Sequence, residues 1–250
     1  MNLMSNLKIS IVTVSFNAAA TIEETIKSVV DQTYDNIEYI LIDGGSTDGT
    51  VDIIRRYAPG GSQYGKHPNA VAHWVSEPDK GIYDAMNKGI AAATGDYIYF
   101  LGADDLLIDN TVIEAVSSHI NNPKSVYYGD VILQPIGKKY CGKFSKWDLI
   151  RRNICHQAIF YPIDVLKKYP YDLKYRTYSD YHENILLWGK NIKFIYIPVT
   201  VCNFLVGGSS ISGDPVFFSS RARIIKENLG ITGYLYYYLR VKTADIIRRR

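Results

Sequence analysis

The sequence predicts an α/β fold, a mostly parallel sheet sandwiched by helices and followed by a C-terminal helical extension. Three observations predict it. Short apolar, β-branched runs alternate with amphipathic segments through the first half of the chain. The links between them are short. Polar residues gather where each strand hands over to a helix, the edge at which such sheets bind ligands.

The run KISIVTVSF (8–16) has the composition of a buried strand. TIEETIKSVVDQ follows as a helix, with Thr21 and Glu24 spaced as a capping box and Ile22, Ile26, Val29 and Val30 on one face. IEYILID (37–43) is the second strand and DGTVDIIRRYA (48–58) the second helix. The loop APGGSQYGKHPNA leads to a third strand, VAHWVSE (71–77), and then to GIYDAMNKGIAAA (81–93), a helix with Ile82, Met86, Ile90 and Ala93 inward. Ile98 to Leu101 form the fourth strand, inside DYIYFLGADDLLID (96–109). A helix carrying Val112, Ile113, Val116 and Ile120 precedes another strand, SVYYGDVIL (125–133).

The second half is less regular. FSKWDLIRRN (144–153) and SDYHENILLWG (179–189) are helical, HQAIFYP (156–162) is a strand, and IKFIYIPVTVCNFLV is strand-rich. GGSSIS (207–212) is a loop, and two helices end the chain near 215–229 and 231–248. This divides the chain into a domain over 1–212, with halves meeting near 133/134, and an extension over 213–250. No internal repeat is visible.

Composition sets limits. Charged residues at 21% and hydrophobic ones at 47% are those of a soluble globular protein. A net charge of +3 is too small to indicate nucleic acid as a partner. Cys141, Cys155 and Cys202 lie far apart, which fits no zinc spacing and suits a reducing compartment. The N-terminus has no signal-peptide pattern, and no apolar run approaches the ~18 residues of a membrane span. The expected location is therefore cytoplasmic.

Adjacent carboxylates at the end of the fourth strand, Asp104 and Asp105, repel one another and are costly to bury unpaired. Capping of the next helix does not require them, since Asp109 is available. A hard cation, Mg²⁺ or Mn²⁺, shared with substrate phosphates answers the charge. Asp43 ends the second strand before Gly44 and Gly45, where it can accept from a nucleobase or ribose; Ser46 or Asp48 suffices for the next cap. Ser15 and Asn17 follow the first strand, and Asp79 and Lys80 the third. Lys80 suits a phosphate as a point charge. Asp84 and Lys88, four apart, pair on the surface or serve the site, and Asn87 is polar beside the inward Met86.

TVSFNAAATIEETIKSVVDQTYDNIEYILIDGGSTDGT followed by SEPDKGIYDAMNKGIAAATGDYIYFLGADD resembles the nucleotide-binding half of family 2 glycosyltransferases. These are inverting enzymes of the GT-A fold, often in bacterial polysaccharide assembly. The likeness runs through roughly the first 130 residues and more loosely to about 212. It implies a donor site in which Thr13, Ser15 and Asp43 hold the nucleotide base. From their own positions Asn17, Asp79, Lys80, Asp84 and Asn87 are expected to join that donor site. The family's Asp-x-Asp motif falls on Ala103-Asp104-Asp105, its first acid replaced by alanine. Asp105 is then the direct metal ligand and Asp104 a ribose or metal contact.

Inverting transfer also needs a base for the acceptor hydroxyl. SDYHE resembles the family's site for it, so Asp180 is the expected base, with Ser179 capping its helix and Glu183 in reserve. In ICHQAIFYP, His156 is a ligand to metal, diphosphate or acceptor, or a structural residue, and Gln157 lines the acceptor pocket. Gly207 and Gly208 open a loop that closes over donor phosphates or is plain surface. The resemblance favours a UDP-sugar as donor and a glycan or lipid-linked sugar as acceptor. The terminal stretch 231–250 is dense in Tyr and Arg, with Leu235, Leu239 and Ile246 on one face. That suits either a solvated terminal helix or one lying on the inner face of the membrane. Two other functions put carboxylates at strand ends: metal-dependent phosphotransfer and non-catalytic binding of a nucleotide sugar.

Overall fold

The computed structural model describes residues 7–207 and 213–242. Its first half is the expected alternation. Strands β1 (Ile9–Ser15), β2 (Ile37–Asp43), β3 (Val71–Ser76) and β4 (Tyr97–Gly102) pair in parallel in the order β3-β2-β1-β4. Helices α1 (Ile22–Val30), α2 (Thr50–Tyr57) and α3 (Ile82–Ala92) connect them. Both faces of this sheet are covered, so its strands are apolar almost throughout. Ile9, Ile11, Tyr39, Ile40, Tyr97 and Ile98 are fully buried.

The remaining elements are β5 (Leu106–Leu107), α4 (Val112–His119), β6 (Val126–Gln134), β7 (Lys138–Tyr140), α5 (Lys146–Arg151), a 3₁₀ turn (His156–Ala158), β8 (Ile159–Pro162), α6 (Ile163–Lys168), α7 (Ser179–Gly189), β9 (Phe194–Leu205) and α8 (Pro215–Tyr236), which runs on into π-helical turns at Tyr237–Lys242. One sheet takes in all the strands, in the order β3-β2-β1-β4-β8-β6-β9-β5, with β7 on β6. β8 inserts antiparallel between β4 and β6, while β6 and β9 run parallel. The two halves of the chain therefore share a sheet and a core.

Helix starts differ from the spacing rules in four places. The residue in the cap position of α2 is Gly49 and that of α4 is Thr111, with Asp48 one residue earlier and Asp109 two, accepting from the Thr50 and Thr111 amides. The Thr21 hydroxyl donates to the Ala18 carbonyl and makes no capping box with Glu24. Ser179 is the first residue of α7 rather than its cap, and its hydroxyl donates to the Asp172 carbonyl. Lys88 pairs with Glu77 at 2.8 Å, not with Asp84, whose carboxylate instead accepts from the Lys80 amide ahead of α3. A complete capping box forms at α5, between Ser145 and Asp148.

Much of the core is tyrosine. Tyr97 donates to the Asn122 and Ser125 carbonyls and Tyr99 to that of Gln157. Burial pushes both phenols up in pKa, so they remain donors.

Helix α8 packs on α7. Asp214 caps it, accepting from the Phe217 amide at 2.9 Å, and accepts also from the Thr177 amide just before α7. Arg221 reaches across to the Ile150 carbonyl and the Tyr181 hydroxyl. At Gly230 the backbone turns to φ 75, which separates the two terminal helices that the sequence suggested. Beyond it Ile231, Leu235 and Leu239 are exposed, while Ile246 lies outside the described residues. Among the described residues, no helix is long and apolar enough to cross a membrane.

Candidate functional site

The carboxyl ends of β1 to β4 carry the polar residues expected there, in two neighbouring groups. The first lies at β1, β2 and β3. Asp43 is fully buried, and its oxygens accept from the hydroxyls of Ser15, Ser46 and Ser76 and from the amides of Gly45 and Ser46. Burial opposes the charge, but the Ser46 hydroxyl and amide, with Ser76 and Ser15, outweigh it and hold this carboxyl below its usual pKa. Asp43 thus organises the turn over Gly44 to Ser46 instead of presenting a free acceptor. Asn17, at φ 50, ties the β1 end to that turn by accepting from the Thr47 amide.

Gly44 lets the Asp79 carboxylate come close: a Cβ there would sit 2.4 Å from Oδ2 of Asp79 and make that carboxylate turn away, and the other Asp79 oxygen accepts from the Gly81 amide. Lys80 is exposed beside it. Phe16, 66% exposed at the same edge, where a Cβ added to Gly44 would meet its ring at 3.4 Å, carries no signal in the sequence. An apolar residue after a strand is silent until its exposure is known.

Two expected donor residues face elsewhere. Thr13 is fully buried, and its hydroxyl accepts from Tyr39. Asn87 is spent on the backbone of Tyr171, donating to its carbonyl at 2.9 Å and accepting from its amide at 3.0 Å. Asn87 therefore docks the segment before α7 on α3.

The second group lines a cavity of about 430 Å³ at the ends of β4 and β9, the 3₁₀ turn and the start of α7. Asp104, His156, Gln157 and Asp180 all face it. Asp104 is exposed, whereas Asp105 is 1% exposed behind it. The Asp105 oxygens accept from the Leu205 amide and the Gln157 side chain, both at 2.8 Å. Burial raises its pKa to about 6 against these two donors, and the Asp104 charge adds to the rise. Gly102 allows both carboxylates to fold back, since a Cβ there would meet Asp105 Oδ2 at 2.6 Å and Asp104 Oδ1 at 3.1 Å.

Among the described residues no Lys or Arg pairs with either acid, and no group of three or more metal-ligating side chains forms. Two oxygen-rich carboxylates without a protein cation fit a divalent ion that draws its other ligands from phosphate and water. Gln157 is buried and braces Asp105, so it is not a free acceptor contact.

Asp180 stands in the first turn of α7. Its Oδ1 accepts from the Tyr83 hydroxyl and its Oδ2 from the Asn153 amide, each at 2.7 Å. His156 Nδ1 lies 3.6 Å from Oδ2. Tyr83 and Asn153 were missed from sequence, because their contacts cross long stretches of chain. Glu183, one turn along α7, does not fit its reserve role. It is 1% exposed, neither oxygen has a partner, and burial raises its pKa to about 9. A neutral buried acid is no base. Gly207 lies in the turn after β9 at φ 140, and Gly208 lies outside the described residues.

Residues 10–182 match the family model for glycosyl transferase family 2. A PGL/p-HBAD biosynthesis glycosyltransferase of Mycobacterium bovis is 38% identical over 200 residues, covering 78% of this chain and 73% of that protein. The structure of S. aureus TarS 1-349 in complex with UDP-GlcNAc is similar, with a TM-score of 0.71 at 14% identity over 95% of this chain and 74% of that one. The mannosyltransferase PcManGT from Pyrobaculum calidifontis, in complex with GDP-Man and Mn²⁺, gives 0.64 at 19% identity over 89% and 63%. At such identities the structural likeness carries the fold, which is that of GT-A glycosyltransferases such as TarS.

Proposed function

This chain belongs to glycosyl transferase family 2, and from that premise we propose that it is an inverting enzyme that moves a sugar from a nucleoside-diphosphate sugar to an acceptor hydroxyl, with Asp180 as the base. The observation that carries the reading is the shared cavity. Asp180, its carboxylate gripped by Tyr83 and Asn153, opens into the same space as Asp104.

The acceptor hydroxyl approaches Asp180, gives up its proton to the carboxylate and attacks the anomeric carbon. The bond from that carbon to the diphosphate oxygen breaks on the opposite side, and the diphosphate leaves with the electron pair. A divalent cation held by Asp104 and Asp105 would supply charge neutralisation for the departing diphosphate. The turn organised by Asp43, with Asn17, Asp79 and the exposed ring of Phe16, forms the wall for the nucleoside. Lys80 faces the phosphates as a point charge. His156, beside Asp180, serves the acceptor side.

The proposed donor is a UDP-sugar, a reading supported by the similar TarS structure in complex with UDP-GlcNAc. The named relative, a PGL/p-HBAD biosynthesis glycosyltransferase, supports an acceptor in glycan or glycolipid assembly. Exposed Ile231, Leu235 and Leu239 with Arg240 beside them support contact with an anionic membrane surface, on the cytoplasmic side.

The test is calorimetric binding of UDP, GDP and dTDP, each with Mn²⁺ and with EDTA, followed by sugar transfer by wild type and Asp180→Asn. Metal-dependent binding of one nucleotide, with transfer lost in Asp180→Asn, is the expected result. Binding of none, or turnover unchanged in Asp180→Asn, overturns the reading. Release of inorganic phosphate without transfer would point to phosphotransfer instead.

A further inference from the structure

The Asp180 carboxylate is the end of a chain of side chains. Its Oδ2 accepts from Asn153 Nδ2 at 2.7 Å. Asn153 Oδ1 accepts from Asn184 Nδ2 at 2.9 Å, and Asn184 Oδ1 accepts from the Tyr161 hydroxyl at 2.8 Å. The direction of this chain has one solution. An ionised carboxylate accepts only, so Asn153 must turn its NH₂ toward Asp180. Its oxygen then faces Asn184, which must offer its own NH₂. The Asn184 oxygen is left for Tyr161, which donates. Each dipole points its positive end at Asp180.

The chain is also locked. Asn184 and Tyr161 are fully buried, and a reversed Asn184 amide would face its NH₂ to the Tyr161 hydroxyl and its oxygen to the Asn153 oxygen, leaving a buried acceptor unpaired. Asn153 is fixed from its backbone as well, because its carbonyl accepts from the Tyr140 hydroxyl at 2.6 Å. It joins three parts of the fold: the link after α5, where it sits, helix α7 through Asp180 and Asn184, and β8 through Tyr161.

We propose that Asn153, backed by Asn184 and Tyr161, is the positioning residue for the Asp180 carboxylate, fixing the rotation of that group toward the acceptor hydroxyl. The inference rests on the reading of Asp180 as the base. The terminal torsion of an aspartate is broad, so one contact from Tyr83 leaves the carboxylate free to turn about the Oδ1 bond. The alternative partner is at hand, since His156 Nδ1 is 3.6 Å from Oδ2. Without Asn153 the carboxylate swings toward His156 and loses the alignment that proton transfer needs.

The test is steady-state transfer kinetics on Asn153→Ala, Tyr161→Phe, Asp180→Asn and the double variant Asp180→Asn/Asn153→Ala, with nucleotide-binding stoichiometry as the count of folded sites. Asn153→Ala is expected to lower kcat roughly 10- to 100-fold per folded site, the loss of one hydrogen bond to a charge, with the donor KM within about twofold. Tyr161→Phe removes one distant oxygen and keeps the shape of the core; it is expected to lower kcat by about two- to tenfold with the same donor KM. The double variant should be no slower than Asp180→Asn alone, because a residue that acts through Asp180 has nothing left to position.

Wild-type kcat in both Asn153→Ala and Tyr161→Phe overturns the inference, as does a loss in Asn153→Ala that is fully repeated on the Asp180→Asn background. If Asn153→Ala does not fold, Tyr161→Phe decides. Turnover unchanged in Asp180→Asn is a separate outcome, in which the base reading fails and this inference falls with it.

Discussion

Replacing Glu183 by glutamine should change how stability depends on pH. In the folded chain both Glu183 oxygens are buried without a partner, and burial raises its pKa to about 9. In the unfolded chain the same carboxyl titrates at about 4.3. Between those values the folded state holds a proton that the unfolded state has released. Unfolding therefore liberates a proton, and stability falls as pH rises. The stabilising contribution is complete below the unfolded value and is gone above about 9. Within the window one proton corresponds to a slope of about 1.4 kcal/mol per pH unit. From pH 5 to pH 8 that is a loss of about 4 kcal/mol, a large share of the ~5–15 kcal/mol of a typical domain.

Glu183→Gln removes the ionisable proton and keeps the shape. Guanidinium unfolding of both proteins at several pH values between 5 and 8 isolates the effect as a difference of slopes. The wild type should weaken relative to the variant by about 1.4 kcal/mol per pH unit across the series. Parallel curves would mean that Glu183 is ionised or solvated in the native state, and the argument from burial would fail.

Three further outcomes are expected. Gly44→Ala pushes a methyl to within 2.4 Å of Asp79 Oδ2 and should weaken nucleotide binding about tenfold or more in calorimetry, with a smaller effect on Tm. Asp43→Ala leaves buried hydroxyls and amides at three strand ends without their acceptor and should cost about 2–4 kcal/mol in urea unfolding at pH 7. Because its folded pKa is lowered, the stabilisation from Asp43 is present above the unfolded value near 4 and is lost as pH falls below it. The Asp43→Ala deficit should therefore shrink in acid. Asp104→Ala should abolish the part of nucleotide binding that EDTA removes from wild type; an unchanged EDTA effect would take Asp104 out of the cation site.

Sequence made the frame legible because periodicity and length are local. α7 starts and ends where the pattern SDYHENILLWG does, and β2 matches IEYILID residue for residue. β5 and β7 were invisible, since two or three residues carry no period. The antiparallel insertion of β8 between β4 and β6 was illegible for another reason: a strand's composition does not name its neighbours. At the site, strand-end position told which residues reach the edge but not what they touch there. Asn87 shows the difference, since the backbone of Tyr171 that occupies it lies 84 residues away in sequence. Asp180 came from the family pattern, but Tyr83, which grips it from 97 residues away, looks in the sequence like any aromatic on a helix face.

The tyrosine core has a consequence for folding fidelity. A chain with phenylalanine at Tyr97 and Tyr99 would bury as much ring, and would do so nearly as well in a strand shifted along its neighbours. The hydroxyls remove that tolerance. A one-residue slip of β4 turns both rings to the opposite face, away from the carbonyls of Asn122, Ser125 and Gln157 that they meet in the native pairing. Each stranded hydroxyl then costs about 1–3 kcal/mol. These phenols act as a lock on strand register, and the strand so locked is the one that delivers Asp104 to the mouth of the cavity.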